Sequence, residues 1–412
     1  MQKIELLIPA GSLEVLKVAV DYGADAVYIG GEAFGLRAKA HNFTIEDMKD
    51  AVSYCHTHGV KLYVAANIFA HNDDLEAVKE YFKKLKPVGI DALIISDPAI
   101  FTIAKEVMPE VDIHISTQAN NTNYGTYQFW HRLGAARVVS ARELSLREIR
   151  EIRDHIPEDM EIESFVHGAM CISYSGRCLL SHFLTGRDAN RGACTHPCRW
   201  KYSVVEETRP GEYFPVEEDD RGTYIFNSKD LCMVDHIPEL IEAGIDSFKV
   251  EGRMKTALYV ATVARTYRKA IDDYMDDPKI YAANMEWYKE EIGKCTYRQF
   301  TTGFYFGKTD SESQVYDSND YVKEYTYIGR VESVDLNGRL CFIQRNKFSV
   351  GEHLEAMMFD GRNEELEVMG IWNADMEEVD SAPHPKEMLT VQLNQSLPVG
   401  TILRRKAVKG SS

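Results

Sequence analysis

The 412-residue sequence lacks the features that would place it in a membrane or outside the cell. No apolar stretch approaches the ~20 residues that span a bilayer. The first ten residues lack a charged segment followed by a long apolar one, so no secretory signal is predicted. We therefore expect a cytoplasmic protein without membrane association, where disulfides are rare and clustered cysteines point to a metal or to catalysis.

The sequence also lacks an excess of positive charge. Lys and Arg number 47 against 64 Asp and Glu, which gives a formal net charge of −17. This balance argues against a uniformly basic surface for nucleic acid. A local basic patch is still compatible with it, because partners respond to the local field as well as to the sum.

Several enzyme motifs are absent. No GxGxxG follows the first predicted strand, which disfavours a dinucleotide-binding sheet. The sequence contains no GxSxG, no HExxH and no protease-type cysteine signature, so no hydrolytic centre is predicted from motifs.

What the sequence does contain is a regular alternation of short apolar runs and helical patterns. Continuous apolar runs are typical of parallel strands covered on both faces. Eight such runs predict a (β/α)₈ TIM-like barrel, with an open doubly wound sheet as the alternative. The predicted strands are Ile4–Pro9, Ala26–Gly30, Lys61–Ala66, Ala92–Ser96, Asp112–Thr117, Arg137–Ser140, Ile162–Val166 and Ser247–Glu251.

Helices are predicted between these strands. Thr44, with Asp47 three residues on, resembles a capping box at the start of one of them. The predicted helices are Leu13–Tyr22, Ile45–Thr57, Leu75–Lys86, Leu146–His155 and Ala257–Asp273.

The domain organisation follows from where this alternation stops. We predict a barrel domain over 1–310, a connector over 311–324 and a small antiparallel β-barrel over 325–412, in which Asn337-Gly338 marks a hairpin. Within the barrel domain, residues 169–246 form a cysteine-rich insertion after the seventh strand. A hairpin is predicted there, between Lys201–Glu206 and Thr223–Asn227.

Polar side chains at the carboxyl ends of the strands are the candidate site residues, because barrel enzymes place their chemistry there. Asn67, Gln118, Arg142 and Arg253 are candidate substrate-binding residues, and two guanidiniums suit carboxylates or phosphates. His167 and Glu251 are candidates for general acid or base. For any single residue the alternative is a structural role, such as capping a helix.

Four of the eight cysteines fall within 28 residues, directly after the seventh strand: Cys171, Cys178, Cys194 and Cys198. Thiolates select iron–sulfur clusters or zinc. Cys171-x6-Cys178 is too wide for a standard zinc knuckle, which favours a cluster. Cys232 is a possible substitute ligand, whereas Cys55, Cys295 and Cys341 are scattered and are interpreted as small hydrophobic residues.

The segments "PAGSLEVLKVAVDYGADAVYIGG", "FVHGAMCISYSGRCLLSHFLTGRDANRGACTHPCRW" and "KVEGRMKTALYVATVARTYRKAID" strongly resemble the collagenase-like peptidase family, the unassigned peptidase family thirty-two. The resemblance covers about residues 4–310, and the part from Tyr325 resembles the family's small C-terminal domain. It implies a 4Fe–4S cluster on the four clustered cysteines. It also implies one of two activities, peptidase or oxygen-independent hydroxylation.

Within the family, the sequence is most similar to the group that makes 5-hydroxyuridine at the tRNA wobble position. That resemblance implies prephenate as the source of the hydroxyl group, with Arg142 and Arg253 as candidates for its carboxylates. Residues around His182–Tyr202, together with Arg404, Arg405, Lys406 and Lys409, are candidates for RNA phosphates, and a companion subunit of the same family is a possible source of positive charge. The alternatives are a peptidase and a barrel whose cysteine site only stabilises the insertion.

Overall fold

The computed structural model describes residues 3–32, 34, 42–171, 173–200, 203–204, 214–215, 227–307, 314–315 and 324–407. The chain divides into two compact units. The first, the barrel unit, comprises residues 1–20, 24–255 and 298–320. The second, the C-terminal unit, comprises residues 21–23, 256–297 and 321–412. No helix in the described part of the chain is long and apolar enough to cross a membrane.

This division differs from the predicted boundary at residue 310, because residues 256–297 join the C-terminal sheet. Arg265 provides a physical reason. Its buried guanidinium donates hydrogen bonds to the carbonyl oxygens of Met358 and Arg362, at 2.9 and 3.1 Å, and so ties its helix to that unit. The predicted connector over 311–324 falls mostly outside the described residues.

The barrel unit is built on a closed parallel sheet. In the described residues its strands are β1 (Glu5–Pro9), β2 (Ala26–Gly30), β3 (Lys61–Ala65), β4 (Ala92–Ile95), β5 (Asp112–Ile115), β6 (Arg137–Val139), β7 (Glu161–Ala169), β8 (Ser203–Val204), β9 (Phe214–Pro215), β10 (Asn227–Ser228), β11 (Asp230–Cys232), β12 (Ser247–Val250), β13 (Phe300–Thr301) and β14 (Gln314–Val315). β1 to β7 pair in order, and β12 pairs with both β1 and β7. The eight-stranded TIM-like barrel is therefore confirmed.

Helices follow most barrel strands. They are α1 (Leu13–Asp21), α2 (Ile45–Thr57), α3 (Leu75–Leu85), α4 (Pro98–Val107), α5 (Tyr124–Arg132), α6 (Leu146–His155), α7 (Leu180–Thr185) and α8 (Ile237–Glu242). Thr44 caps α2 with the predicted box, in which Asp47 N–H donates to the Thr44 hydroxyl and the Asp47 carboxylate accepts from the Thr44 backbone. Ser145 and Glu148 form the same box at α6, so both helices begin where local side chains satisfy the first N–H groups.

The insertion departs from the prediction in its pairing. Ser203–Val204 pairs with Phe214–Pro215, and not with the predicted partner Thr223–Asn227. Of that partner segment only Asn227 lies in the described residues, and it pairs with Val315. The physical reason is that strand pairing depends on packing against neighbouring strands, which an apolar pattern alone does not encode. β11 then returns antiparallel to the end of β7, which lengthens β7 beyond its predicted end at Val166.

The C-terminal unit contains α9 (Ala257–Asp276), α10 (Pro278–Ala283) and α11 (Met285–Ile292). Its strands are β15 (Tyr325–Arg330), β16 (Ser333–Val334), β17 (Leu340–Ile343), β18 (Phe348–Ser349), β19 (His353–Met357), β20 (Asn363–Trp372), β21 (Ser381–Ala382), β22 (Met388–Leu393) and β23 (Ile402–Lys406). Seven of them form a sheet in the order β15-β23-β19-β20-β22-β17-β16, and its pairings are antiparallel as predicted. Gly338 adopts φ +78° in the turn between β16 and β17, where the Asn337-Gly338 pair predicts a hairpin.

Candidate active site at the barrel mouth

The carboxyl ends of the barrel strands and the cysteine-rich insertion enclose one cavity of about 200 Å³. Two groups of side chains line it. The barrel contributes Asn67, Gln118, Arg142, Lys249, Glu251 and Arg253, and the insertion contributes Cys171, Cys178, Cys194 and Cys198. The structure thus brings together four of the predicted substrate-binding residues, one predicted acid–base residue and all four predicted ligands.

The four cysteines share this cavity without forming disulfides. Cys171 is exposed and the other three are half-buried. The backbone N–H of His196 donates to the Cys194 sulfur across 3.4 Å, a contact of the kind that tunes thiolate-bound clusters. Among the described residues, no group of three His, Cys, Asp or Glu side chains lies close enough to hold a single metal ion. The ligand set stays a prediction, and the soft sulfur donors on one cavity wall fit a cluster better than a hard cation.

The loop that carries Cys171 and Cys178 is attached to the barrel through Asn120. The Asn120 amide nitrogen donates to the carbonyl oxygen of Ser175 at 2.9 Å, and its oxygen accepts from Arg177 Nε at 2.7 Å. Asn120 has φ +52°, a left-handed conformation that Asn tolerates better than most residues. One side chain from the end of β5 therefore fixes the backbone between the first two cysteines.

Gly176 lies in the same loop and leaves no room for a side chain. A β-carbon there would lie 2.4 Å from Gln118 Oε1 and 2.5 Å from the ring of Phe69. Its φ of +75° also favours glycine. The insertion backbone consequently packs directly on the Gln118 carboxamide.

Arg142 and Glu251 form an ion pair on the cavity wall. Arg142 Nη2 lies 3.4 Å from Glu251 Oε2, and Arg142 Nη1 donates to the carbonyl oxygen of Ala169 at 3.1 Å. The guanidinium also stacks on the Phe165 ring, 3.9 Å from its centroid. These contacts fix the orientation of the guanidinium and hold it ready for an anionic ligand.

Arg253 crosses the mouth beside two glycines that follow or end strands. A β-carbon on Gly30 would lie 2.4 Å from Arg253 Nη1, and one on Gly11 would lie 2.2 Å from the Arg253 carbonyl oxygen. Arg253 is buried, and it lines the cavity. Glycine is required at position 11 by the backbone of Arg253, and at position 30 it leaves room for the Arg253 guanidinium.

Lys249 is a cavity residue that the sequence analysis missed. Its Nζ donates to Glu163 Oε1 at 2.5 Å and lies 4.6 Å from the ring centroid of Tyr28. Glu163 also accepts from Arg137 Nη1 at 3.0 Å, and Arg137 continues the network to Glu5. A charged residue inside the otherwise apolar strand pattern "SFKVEG" was the available signal.

Two comparisons identify the family of this chain. The profile described as peptidase family U32 matches residues 11–315. A second profile, described as the C-terminal domain of that family, matches residues 323–404. The chain belongs to peptidase family U32. The profile matches confirm the family that the sequence motifs predicted.

Several relatives of this U32 chain carry names that refer to RNA. A tRNA hydroxylation protein P1 of Bacillus subtilis is 41% identical over 405 residues, 98% of this chain and 95% of that protein. A tRNA hydroxylation protein P of Escherichia coli is 38% identical over 456 aligned positions, 100% of this chain and 98% of that protein. A 23S rRNA 5-hydroxycytidine synthase of Escherichia coli is 33% identical over 78% of this chain and 48% of that protein.

His167 lies apart from the cavity lining of the U32 barrel. It is buried in β7, in register with Cys232 of β11, and its ring lies 5.7 Å from that of Phe300. Burial, with Lys255 nearby, lowers the pKa of His167 to about 3. The imidazole is therefore neutral at physiological pH. The cavity lining does not include Cys232 either.

Arg404 does not fit the prediction that it contacts RNA phosphates. Its guanidinium is fully buried in the C-terminal unit and forms ion pairs with Glu291, at 2.8 Å, and with Glu355. Arg405 is paired with Glu352. Lys409 lies outside the described residues. Arg404 of β23 therefore belongs to a buried ion-pair network.

Proposed function

We propose that this chain is an RNA-modifying enzyme that hydroxylates C5 of a wobble uridine in tRNA. In this proposal a 4Fe–4S cluster is bound by Cys171, Cys178, Cys194 and Cys198, and prephenate supplies the hydroxyl group. Such a modification would take place in the cytoplasm. The observation that carries the proposal is one cavity that joins four thiols to three cationic side chains.

Relatives support the reaction class. The names of two full-length relatives refer to tRNA hydroxylation, and that of a third to 5-hydroxycytidine formation in rRNA. What these names share is the hydroxylation of RNA. The wobble position and the hydroxyl source are finer proposals.

The charges of the cavity wall support an anionic co-substrate. Arg142, Lys249 and Arg253 line the cavity, and Glu251 is the one acidic side chain among its described lining residues, in a chain whose net charge is −17. Guanidinium groups bind carboxylates in bidentate fashion, and prephenate carries two carboxylates. Arg142 and Arg253 would hold them, with Lys249 contributing a third cation from the strand interior.

The cysteines would hold the cluster at the outer side of the same cavity. When bound, a cluster would supply electron transfer or Lewis acidity next to the substrate. The chain's own residues orient the reactants: Asn120 fixes the first cysteine loop, and Phe165 with Ala169 fixes Arg142. Glu251, which pairs with Arg142, would accept a proton from a bound ligand.

Exposed apolar side chains of the insertion would meet the RNA. Phe183 is 84% exposed and Trp200 is 46% exposed. Unpaired bases of an anticodon loop stack on such aromatic side chains. Because the overall charge opposes RNA binding, a companion subunit of the same family would add the missing positive charge.

Nucleoside analysis tests the proposal. A strain that lacks this gene and any redundant pathway is complemented with wild type, with Cys171→Ser or with Cys341→Ser, whose half-buried thiol lies in the C-terminal sheet. We expect 5-hydroxyuridine-derived nucleosides with wild type and Cys341→Ser, and their loss with Cys171→Ser. Unchanged nucleosides in the deletion strain would contradict the proposal.

The family name keeps peptidase activity as the alternative. Anaerobically purified protein on gelatin, beside the Cys171→Ser variant, distinguishes the two functions. Cleavage that is unaffected by Cys171→Ser would favour the peptidase.

A further inference from the structure

Two carboxamides on the cavity wall carry buried oxygen atoms that lack a hydrogen-bond partner among the described residues: Asn67 Oδ1 and Gln118 Oε1. Asn67 follows β3, and Gln118 lies in the short 3₁₀ turn Thr117–Ala119 after β5. Both residues line the cavity. Buried polar atoms are nearly always hydrogen-bonded in folded proteins, so these two oxygens call for a ligand that donates hydrogen bonds.

Ser116 fixes the Asn67 side chain and the Gln118 backbone. Its Oγ accepts from Asn67 Nδ2 at 3.2 Å and from the backbone N–H of Gln118 at 3.3 Å. The hydroxyl of Ser96 donates to the Asn67 carbonyl oxygen at 2.9 Å, which holds the backbone at that strand end. The Asn67 amide nitrogen therefore has a hydrogen-bond partner within the protein, whereas its amide oxygen has none among the described residues.

The two carboxamides and the cations of the cavity suit different ligands. Carboxylates offer only acceptors and match Arg142, Arg253 and Lys249. A carboxamide oxygen needs a donor, and it can belong to a bidentate pair when the ligand offers an N–H next to a carbonyl. Uracil has this pattern at N3–H with O4 or O2.

We propose that Asn67 and Gln118 form the nucleobase subsite. In it the Gln118 carboxamide pairs with uracil, its oxygen accepting the N3–H and its nitrogen donating to an adjacent carbonyl oxygen, and Asn67 Oδ1 shares the same N3–H in a three-centre hydrogen bond. This inference rests on the proposed function and names the residues that select the base. Arg142, Arg253 and Lys249 would then bind the carboxylates of the co-substrate. Because Gln118 Oε1 borders Gly176, the base would lie next to the cysteine loop at the end of β5.

Blocking N3 of the base tests the subsite. Anticodon-loop hairpins carrying uridine, 3-methyluridine or cytidine at the wobble position are bound to the full chain, purified without oxygen, and dissociation constants are measured. We expect wild type to prefer uridine over 3-methyluridine by about 10- to 100-fold, the effect of leaving buried acceptors unpaired. In the double variant Asn67→Leu/Gln118→Met, the two hairpins should bind with about equal affinity. This variant keeps the side-chain volumes and removes the amide groups.

Two further variants sharpen the result. Gln118→Glu keeps acceptor oxygens but loses the donor, so it should shift preference toward cytidine, whose amino group a carboxylate accepts, by roughly tenfold. Gln128→Met on α5 is the matched control, because its Nε2 donates to His155 O on the protein surface, and it should keep the wild-type preference.

The outcomes separate the two claims. Wild type that binds the hairpins with equal affinity for uridine and 3-methyluridine would overturn the subsite alone. A double variant that keeps the wild-type preference would also overturn it, because the base would then be recognised elsewhere. Wild type that binds none of the hairpins, even with the companion subunit of the same family added, would overturn both the subsite and the proposed function.

Discussion

Lys249 and Glu163 form a buried ion pair inside the barrel, with 2.5 Å between Nζ and Oε1 and almost no exposure of either side chain. Lys249 lines the cavity, whereas Glu163 also binds Arg137 and through it Glu5. The cation at the cavity is thus the outermost member of a charge network that continues into the barrel. The ligand site and the stability of the barrel are coupled through this pair.

Lys249→Met should destabilise the barrel, because it leaves the Glu163 carboxylate buried with one cation fewer. Removing one partner of a buried pair costs about 3–5 kcal/mol. Urea unfolding measures the loss. Lys249→Met/Glu163→Gln should recover part of it, since the unpaired charge is gone, and a double variant less stable than the single one would contradict this explanation.

Asn120→Ala should weaken retention of the metal centre while the fold persists. The substitution removes the hydrogen bonds to Ser175 and Arg177 that fix the first cysteine loop. We expect iron affinity to fall by about 10- to 100-fold, as when outer partners of metal ligands are lost. Iron per chain after anaerobic dialysis against a chelator measures it.

Asn123→Ala is the control for that experiment. Asn123 caps α5 in the same connection, and its side chain accepts from Thr126 N–H at 3.2 Å. Loss of the cap should cost about 1 kcal/mol of stability without loss of iron. Equal iron retention in both variants would show that Asn120 does not position the loop.

Gly176→Ala should displace the cysteine loop from Gln118. The new β-carbon would overlap Gln118 Oε1 and the Phe69 ring, in addition to the cost of φ +75°. Gly186→Ala is matched in backbone conformation, with φ +67°, but nothing lies within 4 Å of its β-carbon. Backbone strain should lower the free energy of unfolding of both variants by about 1–2 kcal/mol. Only Gly176→Ala should also reduce iron content and hairpin binding.

His167 gives a pH dependence whose sign follows from its burial. Its folded pKa is lowered to about 3, whereas the unfolded chain binds the proton near pH 6.5. Between these values the unfolded state binds more protons, so stability rises with pH from about 3 to 6.5, by up to about 1.4 kcal/mol per pH unit for this group.

His167→Gln should remove that contribution. The slope of unfolding free energy against pH between 4 and 6 should be smaller than in wild type, measured by urea unfolding at each pH. His58→Gln, at an exposed position on the barrel surface, should keep the wild-type slope. Equal slopes in wild type and His167→Gln would mean that the folded imidazole also binds a proton.

The barrel could be predicted from the sequence because its signals are local. Each parallel strand is a continuous apolar run, and the capping box at Thr44 marks where one helix begins. Strand ends converge by the geometry of the fold, which is why Asn67, Gln118 and Arg142 could be assigned to one mouth before their distances were known.

The remaining features depend on contacts between distant segments. Lys249 lies inside a strand, where an apolar pattern predicts core, and only its pairing with Glu163 shows why a charge is tolerated there. The return of β11 along β7 places His167 and Cys232 in register away from the cavity lining. Arg404 belongs to a basic stretch in the sequence, but its burial is decided by Glu291, 113 residues earlier.

The central claim is that four cysteines bind one cluster at the barrel mouth. Iron and sulfide counted per chain in anaerobically purified protein test it most directly. We predict brown protein with about four iron and four sulfide per chain, lost in each of Cys171→Ser, Cys178→Ser, Cys194→Ser and Cys198→Ser and kept in Cys341→Ser. Colourless protein with zinc or no metal, or an iron content that these four substitutions leave unchanged, would contradict it.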